Sequence, residues 1–220
     1  MLDGYQLFME KFNIDEEEMI EFGINKTIVI PDDQVRKEWE FIKGNIYSGD
    51  EKIYVRGYGR NAAGTELYLN LYEKLFGHKN FHMDPTNNTK PTKLLRELSG
   101  YSRQEKPTSK YNRIRNFQVS HIFGRTKNPY LFTAPWNVVY VPKVMDPFTG
   151  HESKGELTKK FQERFLNYYY SHFEHYIKEY NSIMDDLQPK LEDYLFNNGS
   201  DITKKFKEDA RAQFSLINLK

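Results

Sequence analysis

Apolar positions along the chain recur at helical and at strand spacing, and the two periods sort it into elements. Tyr5 to Phe12 reads as a short helix, and a second helix starts after Asp15 within an acidic stretch. Thr27-Ile28-Val29-Ile30 is a β-rich run stopped by Pro31; Asp32 or Asp33 then predicts a cap for a helix carrying Trp39 and Ile42 and ending at Gly44. Ile53-Tyr54-Val55 predicts a short strand, and Leu67, Leu71 and Leu75, four apart, predict one apolar face on a helix from Thr65 to Phe76. Residues 84–91 (DPTNNTKP) form a loop by composition, Thr92 to Leu98 a short helix stopped by Gly100, and Ser102 to Lys110 a polar, basic linker. Phe117-Gln118-Val119 is strand-like, a second short strand covers Tyr130 to Phe132, and Asn137 precedes the apolar run Val138 to Val141. From Glu156 to Leu187, apolar residues including Leu157, Phe161, Phe165, Tyr169 and Phe173 recur at intervals of three and four, predicting one long amphipathic helix. Leu191 to Phe196 and Ile202 to Phe214 predict shorter helices, separated by an Asn-Asn-Gly-Ser stop at 197–200.

The length, 220 residues, suits one or two domains and a sizeable core. An apolar fraction of 38% is low, but 15% aromatic residues argue against a disordered chain. The absence of Cys excludes disulfides, Cys-ligated zinc, iron–sulfur clusters and a thiol nucleophile. The sequence lacks an apolar run of membrane-spanning length, and its N-terminus lacks the basic and apolar regions of a signal peptide. A soluble, cytoplasmic protein without a membrane partner is expected. The net charge of +1 hides opposed blocks. Residues 1–21 hold seven acids against Lys11, whereas residues 90–127 hold ten Lys and Arg against Glu97 and Glu105. The basic block leads directly into the chain's strongest motif.

That motif is the segment 116–155, NFQVSHIFGRTKNPYLFTAPWNVVYVPKVMDPFTGHESKG. A strand leads into Ser120-His121-Ile122, Asn137 opens the next apolar run, and Asp146 follows Asn137 by nine residues. The segment resembles the HNH branch of the ββα-metal nucleases, whose pattern is a strand ending in Asp-His-Ile, a loop, an Asn before an apolar run, and a metal-binding His or Asn at a similar distance beyond. Ser120 stands where that family often has Asp. The resemblance implies an α+β fold in which a small ββα-metal core is embedded in a mostly helical protein. It implies His121 as the general base that activates water, and Asn137 as the residue that holds the imidazole or its loop through amide hydrogen bonds. It implies Asp146 and Ser120 as metal positions. Asp146, a hard oxygen donor, suits Mg²⁺, with Mn²⁺ as a substitute and no structural zinc. Such an ion would neutralise charge on the phosphorane and stabilise the leaving 3′ oxygen. His151 competes with Asp146 for the metal, with Glu152 a further acid nearby; spacing favours Asp146.

Arg56 and Arg60 flank a Gly-Tyr-Gly core and, with Arg113 and Arg115, are expected to contact double-stranded DNA; Arg125 and Lys127 are expected on flanking phosphates. The chain divides into an N-terminal mixed region (1–110) expected to recognise DNA, an HNH-like core (111–155), and a C-terminal helical region (156–220) expected to form a homodimer. Size and layout resemble a type II restriction endonuclease, a Mg²⁺-dependent enzyme leaving 5′-phosphate and 3′-hydroxyl ends. The alternative is a DNA-binding protein that keeps a degenerate HNH-like core without catalysis. The sequence carries no Walker A loop, no dinucleotide fingerprint, no nucleophile elbow and no His-Glu-x-x-His pair.

Overall fold

A computed structural model describes residues 2–104, 110–150, 152–198 and 202–219. Its N-terminal part is helical, and acids set the helix starts. Asp3 caps α1 (Gly4–Phe12) and Asp15 caps α2 (Glu16–Asn25), each carboxylate accepting two backbone N–H bonds. Helix α3 (Asp32–Ser48) begins at Asp32 without a side-chain cap and runs through Gly44 to Gly49, which has φ 70°. The expected stop at Gly44 is overridden because Ile42 and Ile46, on either side of it, are both buried. A glycine inside a helix costs about 1 kcal/mol, less than burial of those two side chains returns.

Strand β1 (Ile53–Val55), helix α4 (Thr65–Phe76) and strand β2 (Phe81–Met83) form a parallel β-α-β unit, with Ile53 opposite Phe81 and Val55 opposite Met83. Helix α5 (Thr89–Ser99) starts three residues earlier than its apolar pattern suggests. The buried Asp84 carboxylate accepts from the N–H groups of Thr86, Thr89 and Lys90 at 3.0, 3.1 and 2.7 Å and so secures that start. After the two-residue strands β3 (Tyr101–Ser102) and β4 (Asn112–Arg113) comes the hairpin that carries the motif. Strand β5 (Phe117–His121) pairs antiparallel with β6 (Val138–Pro142), and α6 (Pro129–Phe132) lies in the long loop between them. The strand expected over 130–132 is therefore a helix, started by Asn128, whose Oδ1 accepts from the Tyr130 N–H at 3.0 Å, with Pro129 in the first turn. Likewise the run 27–30 forms no strand; Ile28 makes a single antiparallel bridge to Tyr140, through bonds of 2.8 and 3.0 Å.

Helix α7 (Asp146–Thr149) is one turn long. The predicted C-terminal helix is two, α8 (Glu156–His172) and α9 (Glu174–Asn197), which break at Phe173; α9 passes Pro189 and absorbs the shorter helix expected after it. Helix α10 (Lys204–Gln213) follows. All five residues of β6 are buried, and one continuous core draws on 1–110, 111–155 and 156–220 together, so the three stretches are regions of one packed body. The apolar stripe expected at a dimer contact lies inside the chain: α8 packs on α2 and α9 on α4. Within the acidic N-terminal block, Glu16 pairs with Lys160 and Glu17 with Arg164 at 2.5 Å, and among the described residues no ion pair joins this block to the basic block at 90–127. Among the described residues no helix is long and apolar enough to cross a membrane.

Candidate active site

His121 ends β5 opposite Val138, with its ring stacked over Phe132 at a centroid separation of 6.0 Å and 12°. Nε2 lies 2.9 Å from the Phe132 carbonyl oxygen. A carbonyl only accepts, so Nε2 carries the hydrogen, and Nδ1 is left as the acceptor of the neutral ring. Nδ1 has no hydrogen-bond partner among the described residues. Burial pushes the imidazole down to about 4, the Phe132 carbonyl bond opposes this, and the Arg56 charge adds to it. At neutral pH the ring is therefore uncharged.

Asn137 is fully buried at the other end of the loop. Its Oδ1 accepts from the Phe123 N–H at 2.8 Å, its Nδ2 donates to Leu131 and Gly124 carbonyls at 3.0 and 3.3 Å, and its backbone carbonyl accepts from Ile122 at 2.8 Å. Asn137 thus pins both sides of the loop leaving His121, without touching the imidazole. A loop with so much buried backbone needs such internal partners, and one side-chain amide supplies three bonds.

Ser120 points to the opposite face of the strand, where its hydroxyl donates to Thr149 Oγ1 at 3.3 Å; Thr149 in turn donates to the Asp146 carbonyl at 2.8 Å. Helix α7 therefore sits against Ser120 by its last residue, whereas Asp146 opens the helix. Burial and the neighbouring Glu152 push the Asp146 carboxyl up, against the pull of Lys143. His121 and Ser120 lie on different faces of β5, and Thr149, bonded to the Ser120 hydroxyl and to the Asp146 carbonyl, places α7 on the face of Ser120. His151 lies outside the described residues.

Arg56 leaves the end of β1 toward the hairpin, where its Nη1 approaches Thr126 Oγ1 at 3.4 Å and its charge reaches His121. The turn that follows is tight. The Gly57 N–H donates to Asn87 Oδ1 at 2.7 Å, and a Cβ on Gly57 would meet the Ala62 methyl at 2.8 Å. Arg60 sits exposed at the turn's tip. Arg113 and Arg115 are exposed beside β5, where they join Arg103 and Lys143 around a groove of about 350 Å³ whose described lining contains no acid.

A family model described as uncharacterised protein PM1201 matches residues 30–219. The chain belongs to this family. A relative described as uncharacterized protein PM1201, from Pasteurella multocida (strain Pm70), is 41% identical over 221 residues, covering 98% of this chain and 97% of its own length. No solved structure matches the chain. The part matched to the PM1201 family contains the whole hairpin, Arg56 and the basic groove, and omits α1 and α2.

Two of the expected phosphate contacts have other work in this PM1201-family fold. The Arg125 guanidinium donates to Phe123 and Leu216 carbonyls at 2.9 and 2.7 Å and to Ser215 Oγ at 3.1 Å, tying the loop to the C-terminal segment. Lys127 grips both oxygens of Asp209 at 2.8 and 2.9 Å, and its carbonyl accepts from Tyr72. Both side chains are engaged by protein, so they leave the set of phosphate contacts. Pairs formed across more than eighty residues of chain leave no local sequence signal. Two residues missed by sequence, Arg103 and Lys143, stand in the groove instead: one was part of a presumed linker, the other sat beside an apolar run.

The described residues show no assembled Mg²⁺ site around Ser120 and Asp146. The Ser120 hydroxyl is bonded to Thr149, and among the described residues no three His, Asp or Glu side chains come together.

Proposed function

We propose that the β5–β6 hairpin with α7 is a ββα-type nuclease core, and that the chain hydrolyses phosphodiester bonds of double-stranded DNA. The observation that carries this reading is the pair His121 and Asn137: a neutral histidine at the end of the first strand, on a loop held by a buried Asn that opens the second. In the proposed step, His121 Nδ1 takes a proton from water, the resulting hydroxide forms a bond to phosphorus, and the bond to the 3′ oxygen breaks. The products are a 5′-phosphate and, after protonation, a 3′-hydroxyl. Arg56, beside the imidazole, supplies positive charge where the phosphorane becomes more negative. A bound phosphate raises the imidazole toward neutrality, correcting the weak basicity that burial imposes. Arg60, Arg113 and Arg115 are the proposed DNA contacts, since all three are exposed. Mg²⁺ would supply Lewis-acid chemistry, but the described donors do not form its site.

One observation favours a second reading, a DNA-binding protein without catalysis: Ser120, at the position where the resembled nucleases often carry Asp, is bonded to Thr149. Supercoiled plasmid with Mg²⁺ separates the two. Cutting by the wild type that is lost in His121→Ala supports the enzyme; no cutting by either, with salt-dependent DNA binding by both, supports the second reading.

A further inference from the structure

Among the described residues, four buried side-chain polar atoms lack a hydrogen-bond partner, and three of them lie together: Arg96 Nε, Arg103 Nε and the Tyr140 hydroxyl. They come from three different elements. Tyr140 stands in the middle of β6 opposite Val119, on the face of the hairpin that also carries His121. Helix α5 packs over β6 and brings Arg96; the segment after β3 brings Arg103, whose guanidinium carbon lies 5.8 Å from the centre of the Tyr140 ring. Both guanidinium charges act on the Tyr140 phenol, opposing the burial that raises it.

Their other contacts leave this junction incomplete. Arg103 donates through Nη1 to the Phe117 carbonyl at 3.2 Å and to Gln118 Oε1 at 3.3 Å, both neutral. Arg96 stacks over Tyr111 at 5.7 Å and reaches Glu97 only at 3.5 Å, while Glu97 also faces Lys93 at 3.9 Å. Two guanidinium groups over one buried phenol repel each other and leave three donors unmade. Each unmade donor costs about 1–3 kcal/mol, and more when charged. Such an arrangement suits an anion. Two cations and a hydroxyl brought by three elements fit a tetrahedral oxyanion, which offers acceptors around its whole surface, better than a planar carboxylate, which serves two forks in one plane. The groove of Arg113, Arg115 and Lys143 opens beside Arg103, so positive charge continues away from the junction.

We propose that Arg96, Arg103 and Tyr140 form a phosphate-binding site, and that the phosphate it takes belongs to a nucleic-acid strand laid along the adjoining basic groove. Entry parts the two guanidinium groups and exposes the phenol, which then donates to the third oxygen. Binding here is independent of whether His121 cleaves anything, so it is read without a cleavage assay.

The test uses the full chain, inorganic phosphate against chloride at matched ionic strength, and a short DNA duplex. In the wild type, phosphate raises the melting temperature. Tyr140→Phe without phosphate melts at or above the wild type, because an unmade buried hydroxyl is gone, and its phosphate affinity falls by about tenfold or more. Arg103→Gln loses the phosphate response as well. An unchanged phosphate response in both variants overturns the site. Duplex binding followed by anisotropy identifies the source of the phosphate. Weaker binding by Tyr140→Phe, and displacement of duplex from the wild type by phosphate, supports the strand. Lost phosphate binding with unchanged duplex binding overturns the strand in favour of a free phosphate or phosphomonoester.

Discussion

The loop end of the β5–β6 hairpin and its β3–β5 edge draw on the same basic stretch of sequence but treat polar groups in opposite ways. At the loop end, Asn137 and Asn128 are buried with their amides bonded, Arg125 makes three bonds to protein, and Lys127 grips Asp209. At the edge, Arg96 and Arg103 carry nitrogens without described partners above an equally unpartnered phenol. Cations at the loop end hold the fold together; those at the edge are left to interact outward. The difference teaches that a block of positive charge is not one feature: a cation's availability depends on whether the fold has supplied its partner.

Substitutions at the loop end break this comparison if they prove harmless. Asn137→Ala leaves the Phe123 N–H and two carbonyls without their amide and is expected to lower stability by about 3 kcal/mol, read by urea unfolding. Arg125→Met keeps length but removes three donors, and a loss of about 2 kcal/mol is expected by the same measurement. A loss below the error of the measurement would mean that Arg125 is as available as the edge cations.

His121 lies between the two regions, and its titration sharpens the boundary. The ring falls from an ordinary value of 6.5 to about 4 in the fold. Between those values the unfolded chain binds a proton that the folded chain does not, so stability falls as pH is lowered through this window. The ring's NMR titration should have its midpoint near 4, and His121→Gln should remove the corresponding part of the pH dependence; a midpoint near 6.5 would place the ring with the solvated edge. The smallest effect is expected at the edge itself. Arg113→Gln should change stability by less than about 0.5 kcal/mol while lowering the slope of log binding constant against log salt by about one, measured on duplex DNA.

Local chemistry made much of the fold legible. The short first helix, the helix start after Asp15, the four-residue spacing of α4 and the strand pattern of β5 all read correctly, because their determinants lie within a few residues. The run 130–132 misled because three apolar residues fit either period; the Asn128-Pro129 start was the stronger signal. His121 and Asn137 stand at opposite ends of one loop, so sequence spacing could pair them. Tyr140 read as part of an apolar run, since only packing sets α5 above it and brings Arg103 over its ring. For the same reason sequence spacing grouped His121 with Ser120 and Asp146, although Ser120 faces away from the imidazole across β5.

The contacts between α2 and α8 have a consequence for how the molecule is made. Glu16 meets Lys160, Glu17 meets Arg164, and the Ile24 carbonyl accepts from the Tyr169 hydroxyl, with roughly 145 residues of chain between the partners. On a ribosome adding about 5–20 residues each second, α2 waits roughly 7–30 s for the surface of α8 on which it docks. Through that interval α2, whose Met19 and Ile20 are buried in the finished protein, lacks the α8 side of its packing. α2 is thus made well before the helix that completes its packing, and a delay in translation beyond residue 140 prolongs that interval.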